Sequence, residues 1–261
     1  MSSLAAYQYV LIALIFVWSG FVRSGLGFGG AVLSLPFLLL VHNEPLVFLP
    51  IIAVHLLVFS SLTIWMNNRG GGKTSQTTGI RPESTVDWQY LRYLLAVMMV
   101  PKLIGVFGLI TLPSQVLSAI IFVIVSVYSL SYIVNRPFRS GSRAVDMLFL
   151  MVGGYISGTS LIGAPLIIAV AAQHVGKAKL RDTLFALWFI LVLIKLVAFI
   201  LAGVDLQLVH HLWLLPCAAV GHVIGLWMHQ RMLQAETPVF FRVLGSVLLT
   251  VSVVGLVQAF L

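Results

Sequence analysis

The stretch SGFVRSGLGFGGAVLSLP, residues 19–36, interrupts an apolar segment that covers residues 7–41. A second stretch, GGYISGTSLIGAP at 153–165, interrupts the apolar segment 146–175. Glycine and proline at this density end or break helices. Inside a bilayer, a broken backbone persists only where protein or a polar cavity satisfies its hydrogen-bonding groups. Each long segment is therefore predicted to form two helices, as a re-entrant hairpin or as two crossings.

The composition indicates which solvent surrounds this chain. Of its 261 residues, 60% are apolar and only 8% are charged, and the mean hydropathy is +1.08. Soluble domains carry roughly 25% charged residues, so the chain is predicted to be an integral membrane protein. Its single cysteine, Cys217, excludes an internal disulfide. In a membrane protein, the formal charge of +8 indicates which loops face the cytoplasm, where Lys and Arg collect. It does not indicate nucleic-acid binding.

Six further stretches have the roughly 20 apolar residues that a crossing helix needs. They are 46–66, 88–110, 114–134, 180–203, 208–230 and 239–261. Together with two helices from each broken segment, they predict an all-α polytopic membrane protein with five segments in each half.

The basic residues of the loops test this arrangement. Ten segments place the loops 67–87, 135–145, 176–179 and 231–237 on one side, where they carry nine lysines and arginines. The opposite loops and both ends of the chain carry none. Because Lys and Arg collect on the cytoplasmic side, both termini are predicted to be non-cytoplasmic. The expected location is the cell membrane, the inner one where there are two.

An odd number of segments gives the two halves opposite orientations, so an inverted repeat is predicted. The N-terminal repeat would cover 1–135, with a cytoplasmic loop at 67–87, and the C-terminal repeat 136–261. An offset of 134 places Gly20 on Gly154 and Gly29 on Gly163. Further along, Pro101 and Gly105 resemble Pro216 and Gly221. Paired breaks in inverted repeats are typical of secondary transporters and mark the binding site.

Away from the loops, seven basic or histidine positions within the predicted spans or their breaks are candidates for function. They are Arg23, His55, Lys102, His174, Lys195, His222 and Arg242, and every carboxylate falls in a loop or at a span end. A cation at the centre of a membrane helix costs ~2.5–3.5 kcal/mol on insertion scales. The simplest counter-ion is therefore an anionic substrate, with Arg23, Lys102 and Lys195 as candidate ligands. Snorkelling lysines and carbonyl-bound histidines are the alternative explanation.

The glycine breaks supply the second element of a predicted anion site. A helix N-terminus offers free backbone N–H groups and a partial positive charge, and glycine allows an oxyanion to approach the backbone. The candidate residues of the breaks are Gly25, Gly27, Gly29, Gly30, Thr159, Ser160, Gly163 and Pro165. Close helix packing is the alternative for glycines spaced as in Gly154-x3-Gly158 and Gly221-x3-Gly225.

Histidine titrates near physiological pH, so His55 and His222 are predicted candidates for proton coupling. Signatures of enzymes are absent from the sequence, which has no metal-ligand cluster, no G-x-S-x-G elbow and no ATP-binding P-loop. The chain is accordingly predicted to be neither an enzyme nor the holder of a cofactor or metal.

Several motifs resemble the TauE/SafE sulfite-exporter family of membrane permeases. They are GFVRSGLGFGGAVLSLPFLLL (20–40), VDWQYLR (86–92), GYISGTSLIGAPLIIAVAAQHVGKAKLRDTL (154–184) and RMLQAETPVFFRVLGSVLLTVSVVGL (231–256). The resemblance implies an inverted-repeat transporter of small sulfur oxyanions, such as sulfite, thiosulfate or organosulfonates, held at the glycine breaks. Arg23 departs from the family, which usually has a small residue there, and Ala164 interrupts its glycine run.

The sequence thus predicts a secondary transporter that moves a small sulfur-containing oxyanion by alternating access. Its expected partners are this anion, the lipid bilayer, protons as a coupling ion and a second copy of the chain in a homodimer, without nucleic acid. Two alternatives are an anion channel and a non-transporting membrane subunit that binds a partner or lipid.

Overall fold

The computed structural model describes residues 4–26, 30–75, 85–136, 138–234 and 238–260. Regular structure in these ranges is helical, and each predicted segment corresponds to one helix. The helices are α1 (Ala6–Leu26), α2 (Gly30–Val41), α3 (Pro45–Ser75), α4 (Trp88–Thr111), α5 (Ser114–Ile133), α6 (Arg143–Ser160), α7 (Ala164–His174), α8 (Lys177–Leu201), α9 (Leu208–Gln234) and α10 (Pro238–Phe260). Seven helices of the described chain, all except α2, α6 and α7, are long and apolar enough to cross a membrane. The predicted all-α class is confirmed.

One predicted loop is partly wrong. The sequence predicts a loop over 67–87, but α3 continues as a helix to Ser75, and residues 76–84 lie outside the described residues. Hydropathy marks where apolar side chains end. Backbone hydrogen bonds of a helix do not depend on apolar side chains. α3 can therefore continue past the apolar stretch that hydropathy detects.

Each broken segment folds into a long helix followed by a short one that returns. With 12 and 11 residues, α2 and α7 are about 18 and 17 Å long at 1.5 Å per residue. Both are much shorter than a hydrocarbon core of about 30 Å. Gln8 Nε2 donates to the Val41 carbonyl at 2.8 Å, and His174 Nε2 lies 2.9 Å from Asp146 Oδ2. Each hairpin therefore closes at the end where it began.

Glycines allow two pairs of helices to pack backbone against backbone. A Cβ atom on Gly20 or Gly221 would collide with the facing backbone between α1 and α9, and one on Gly158 would collide with the Lys102 carbonyl between α6 and α4. These two pairs are among the most extensive helix contacts, together with α5 on α10. The packing role considered for the G-x3-G spacings is thus present on both sides of the molecule.

The helix contacts of Gly105 match those of a different glycine from the one that the sequence comparison paired with it. Gly105 faces the backbone of Tyr155 and Thr159, while Gly225 faces that of Phe21 and Gly25. An offset of 134 makes these two surroundings equivalent. Gly105 therefore corresponds in its contacts to Gly225, one turn beyond Gly221. The sequence comparison went wrong because it was anchored on prolines whose spacing to the next glycine differs.

The bundle has two ends, named here for what they carry. The terminal face holds the beginnings of α1, α3 and α5, joined by the Ser114 hydroxyl, which donates to Glu44 at 2.9 Å. The basic face holds the beginnings of α4 and α8, joined by the Asp87 N–H, which donates to the Thr183 hydroxyl at 2.9 Å. Accordingly α2 ends at the terminal face and α7 at the basic face.

Candidate functional site

A cavity lies between the two broken segments. Its volume is about 40 Å³, compared with the roughly 10–15 Å³ that one water molecule requires. The lining includes Arg23 and Gly30 from the first break, Ser157 and Ala164 from the second, Leu56 from α3 and Val192 from α8. The beginnings of α2 and α7 therefore meet at one interior space, as the paired breaks predict.

Arg23 is the charged side chain of this cavity. It sits in the last turn of α1 and is only 5% exposed. Its guanidinium carbon lies 4.4 Å from the centre of the Phe59 ring on α3. Nε and Nη2 are buried and have no hydrogen-bond partner among the described residues. Arg23 thus brings a positive charge into the bundle interior, where an aromatic ring holds it and no carboxylate of the described residues pairs with it.

The short helix α7 begins at the cavity without a side-chain cap. Its N-cap is Gly163, and Pro165 occupies the first turn, where a missing N–H costs no helical bond. Gly163 also packs on the Gly153 carbonyl, where no side chain fits. Gly30 at the start of α2 is less restricted, because an added Cβ would lie 3.0 Å from the Arg23 Cβ and 3.1 Å from the Ser19 carbonyl oxygen. Two helix N-termini, each with partial positive charge, consequently converge on the space that Arg23 lines.

Lys102 and Lys195 come from different helices and meet at one residue. Both are fully buried. Lys102 Nζ donates to the Ser157 carbonyl at 3.4 Å and contacts the Ser157 hydroxyl at 3.3 Å, while Lys195 Nζ donates to the same carbonyl at 3.4 Å. Their nitrogens are therefore no more than twice that distance apart. No described carboxylate forms an ion pair with either lysine.

This lysine pair also has a structural role. α6 ends at Ser160, where Leu161 adopts a left-handed conformation with φ of 61°. Carbonyls in the last turn of a helix lack intrahelical partners, and cations are favourable there. The Ser157 carbonyl already accepts the Leu161 N–H at 3.3 Å, so the lysines add positive charge at the end of α6 and do not supply a missing partner. Ser157 also lines the cavity and so connects the two lysines to the cavity wall.

The two predicted histidines both lie near Phe59. The His55 ring centre is 6.3 Å from that of Phe59, and the His222 ring centre is 4.9 Å from it. His222 Nδ1 is hydrogen-bonded to the Ser24 hydroxyl, whereas both His55 ring nitrogens are buried without a partner in the described chain. Phe59 thus lies close to two buried imidazoles and to the Arg23 guanidinium.

The other predicted site residues are placed differently. The hydroxyls of Thr159 and Ser160 donate to the Ile156 carbonyl at 3.1 and 3.0 Å, so their hydrogens serve the helix itself. Gly25 packs against Gly225. Gly27 and Gly29 lie outside the described residues.

Three residues near the candidate ligands escaped the sequence reasoning. Ser157 receives both lysines, Ser24 binds His222, and Phe59 holds Arg23. Ser157 and Ser24 each precede a glycine of a break. This position in the sequence could have marked them as candidate site residues. Phe59 carries no such signal, because phenylalanine is ordinary in a membrane span.

These features define a multi-pass helical membrane protein with buried cations around an interior cavity. The model of the sulfite exporter TauE/SafE family matches residues 11–256. The chain belongs to this family. Membership implies a membrane permease for sulfite or a related anion. Searches of curated proteins and of solved structures found no match.

Proposed function

We propose that this protein is a secondary transporter of a small sulfur-containing oxyanion, such as sulfite, thiosulfate or an organosulfonate. One observation carries the proposal: an unpartnered, buried arginine and the N-termini of two half-helices share one cavity. Buried cations require a partner, and the described chain provides no carboxylate to Arg23. An anion in the cavity would neutralise it.

The ligands proposed for the anion fall into two groups. Arg23 and the backbone of Gly30 and Gly163 would contact it directly, with Pro165 shaping the start of α7. Lys102 and Lys195 would act through Ser157, adding positive potential in a region of low dielectric constant, where charges interact strongly. Gly25, Thr159 and Ser160 would shape the breaks around this space.

Alternating access between two inverted halves, 1–135 and 136–261, is the mechanism we propose. The equivalent glycine contacts of α1 with α9 and α6 with α4 support this symmetry. The lack of basic residues at the terminal face supports a non-cytoplasmic location for both termini. His55 and His222 are the proposed sites of coupling protons, and a homodimer remains a prediction.

Thermal stabilisation of the purified protein by anions tests the proposal. A ligand that binds only the folded state stabilises it by RT ln(1 + [L]/Kd). The panel comprises sulfite, sulfate, thiosulfate, sulfoacetate, taurine, lactate and chloride. We expect selective stabilisation by a sulfur oxyanion, lost in Arg23→Gln and kept in Arg242→Gln, which removes an exposed arginine of α10.

Flux into liposomes separates transport from its alternatives. Saturable uptake of the stabilising anion supports a transporter, whereas uptake that stays proportional to concentration indicates a channel. Selective stabilisation without any flux indicates a subunit that binds its ligand for another purpose. Neither stabilisation nor flux with any sulfur oxyanion would contradict the proposed substrate class.

A further inference from the structure

A third buried histidine lies beside the proposed proton site. His211 on α9 has its ring centre 5.4 Å from that of His55 on α3. The two side chains are 6% and 2% exposed. His211 thus stands next to His55 inside the bundle, although its neighbour in the sequence, His210, is more exposed.

These two rings contain three nitrogens without a hydrogen-bond partner among the described residues. They are Nδ1 and Nε2 of His55 and Nδ1 of His211. His211 Nε2 lies 3.1 Å from the Leu206 carbonyl oxygen. A carbonyl only accepts, so Nε2 carries the hydrogen and Nδ1 of neutral His211 is an acceptor. Buried polar atoms without partners are destabilising, and adjacent imidazoles of this kind are suited to exchange a proton directly or through water.

The histidine pair lies between the terminal face and the cavity. Leu206 belongs to the connection from α8 to α9, at the terminal face. At the inner end, His55 is followed by Leu56, which lines the cavity, and lies one turn before Phe59 beneath Arg23. The order of residues from the terminal face inward is therefore Leu206, His211, His55 and the proposed anion site.

The groups around the pair connect a proton on His55 to the anion. Arg23 from α1 and His211 from α9 are the titratable groups that act on His55, and His210 acts on His211. The neighbouring helices α2 and α5 have no charged side chain, and Lys195 of α8 binds Ser157 instead. With the cavity empty, the positive Arg23 opposes a second charge on His55. An anion beside Arg23 removes that opposition.

We infer that His211 carries protons between the terminal face and His55, so that one proton accompanies the transported anion. The inference rests on the proposed function and names a residue outside the anion site. The step moves one proton and no electrons. Nδ1 of His211, the acceptor nitrogen, takes a proton from water and then releases it to a ring nitrogen of His55, so that His211 returns to its neutral form with the hydrogen still on Nε2.

The experiment measures sulfite uptake by the full-length protein in liposomes, driven by a pH gradient, together with a fluorescent reporter of internal pH. His211→Phe keeps an aromatic ring against His55 and removes the nitrogens. We expect it to slow proton-driven uptake by about 100-fold, while sulfite still stabilises the protein as in the wild type. His210→Phe is the matched control and is expected to change neither property.

Other results would overturn the inference. Wild-type rates in His211→Phe would show that protons take another route, and a loss of sulfite stabilisation would show a structural role. His211→Gln, which can still donate to the Leu206 carbonyl, replaces the Phe variant if that one does not fold. Wild-type uptake that ignores the pH gradient overturns the proton step alone, whereas a wild type that neither binds nor transports sulfur oxyanions overturns the proposed function as well.

Discussion

The guanidinium of Arg23 lies 4.4 Å above the centre of the Phe59 ring. A cation over an aromatic face is attracted to it by about 0.5–2 kcal/mol, most strongly where water is excluded. Arg23 is almost fully buried, so this ring holds the charge in place while its N–H groups remain available. The contact explains how an arginine is tolerated inside the bundle without an ion pair.

Replacing Phe59 by Leu tests this contact. Leucine fills much of the same space and has no π face, so Arg23 loses its support. We expect the affinity for the stabilising anion to fall by about 2- to 30-fold, which is the cation–π energy expressed as a binding ratio. Calorimetric titration measures it. Phe107→Leu is the control, because Phe107 is 71% exposed on the outside of the bundle; equal losses in both variants would contradict the role of Phe59.

Replacing Lys195 by Met is expected to have opposite effects on the empty and the anion-bound protein. Methionine removes a buried charge that shares one carbonyl with Lys102, and with it both the cost of burying an ammonium group and the repulsion between the two lysines, so we expect a gain in stability. The apparent Tm without anion should rise by about 2–4 °C per kcal/mol, and the additional shift caused by anion should shrink.

The control for this prediction is Arg143→Met, which removes an exposed cation at the start of α6. Lys102→Met should act like Lys195→Met. The double variant should show less than the sum of the two, since both lysines bind Ser157 and neighbouring residues are not additive. A lower Tm in both single variants would show that the favourable interaction of the lysines with the end of α6 outweighs the charge repulsion.

Replacing Gly158 by Ala is expected to destabilise the protein by about 1–3 kcal/mol, the usual cost of overpacking. The new methyl group would collide with the Lys102 carbonyl on α4. Gly108→Ala is the control on α4, because only a leucine methyl lies near its added carbon and alanine favours the helix. Thermal unfolding in detergent measures both. Similar Tm values for the two variants would contradict the close contact of α4 with α6.

Single cysteines test the sidedness of the two faces. In a Cys217→Ser background, Gly141→Cys marks the basic face and Thr111→Cys marks the terminal face. We expect a membrane-impermeant maleimide added to intact cells to label position 111 and not 141, with the reverse in inverted vesicles, because basic loops stay in the cytoplasm. Labelling of 141 from outside would reverse the proposed orientation.

The helices were predictable because each depends on local sequence. Span lengths follow from apolar runs of about 20 residues, and the two hairpins follow from glycine and proline at 19–36 and 153–165. The extension of α3 to Ser75 escaped prediction because backbone hydrogen bonds, and not hydropathy, decide where a helix ends.

The candidate site was predictable only where a residue contrasts with its apolar surroundings. Arg23, Lys102 and Lys195 are conspicuous in membrane spans, whereas Phe59 and Ser157 are ordinary there and acquire meaning from distant neighbours. Thr159 and Ser160 showed the opposite error. They stand at a break, yet their hydroxyls return to the Ile156 carbonyl, which is a common arrangement in helices.

The long helices of α1–α5 pack mainly on helices of α6–α10, and not on one another. α1 packs on α9, α4 on α6 and α5 on α10, so the main neighbours of each group of helices belong to the other. If the chain were cut in the connection at 138–142, neither fragment would retain a complete interior. We therefore expect the two fragments to form a stable protein only when they are expressed together, because each supplies the main packing surface of the other.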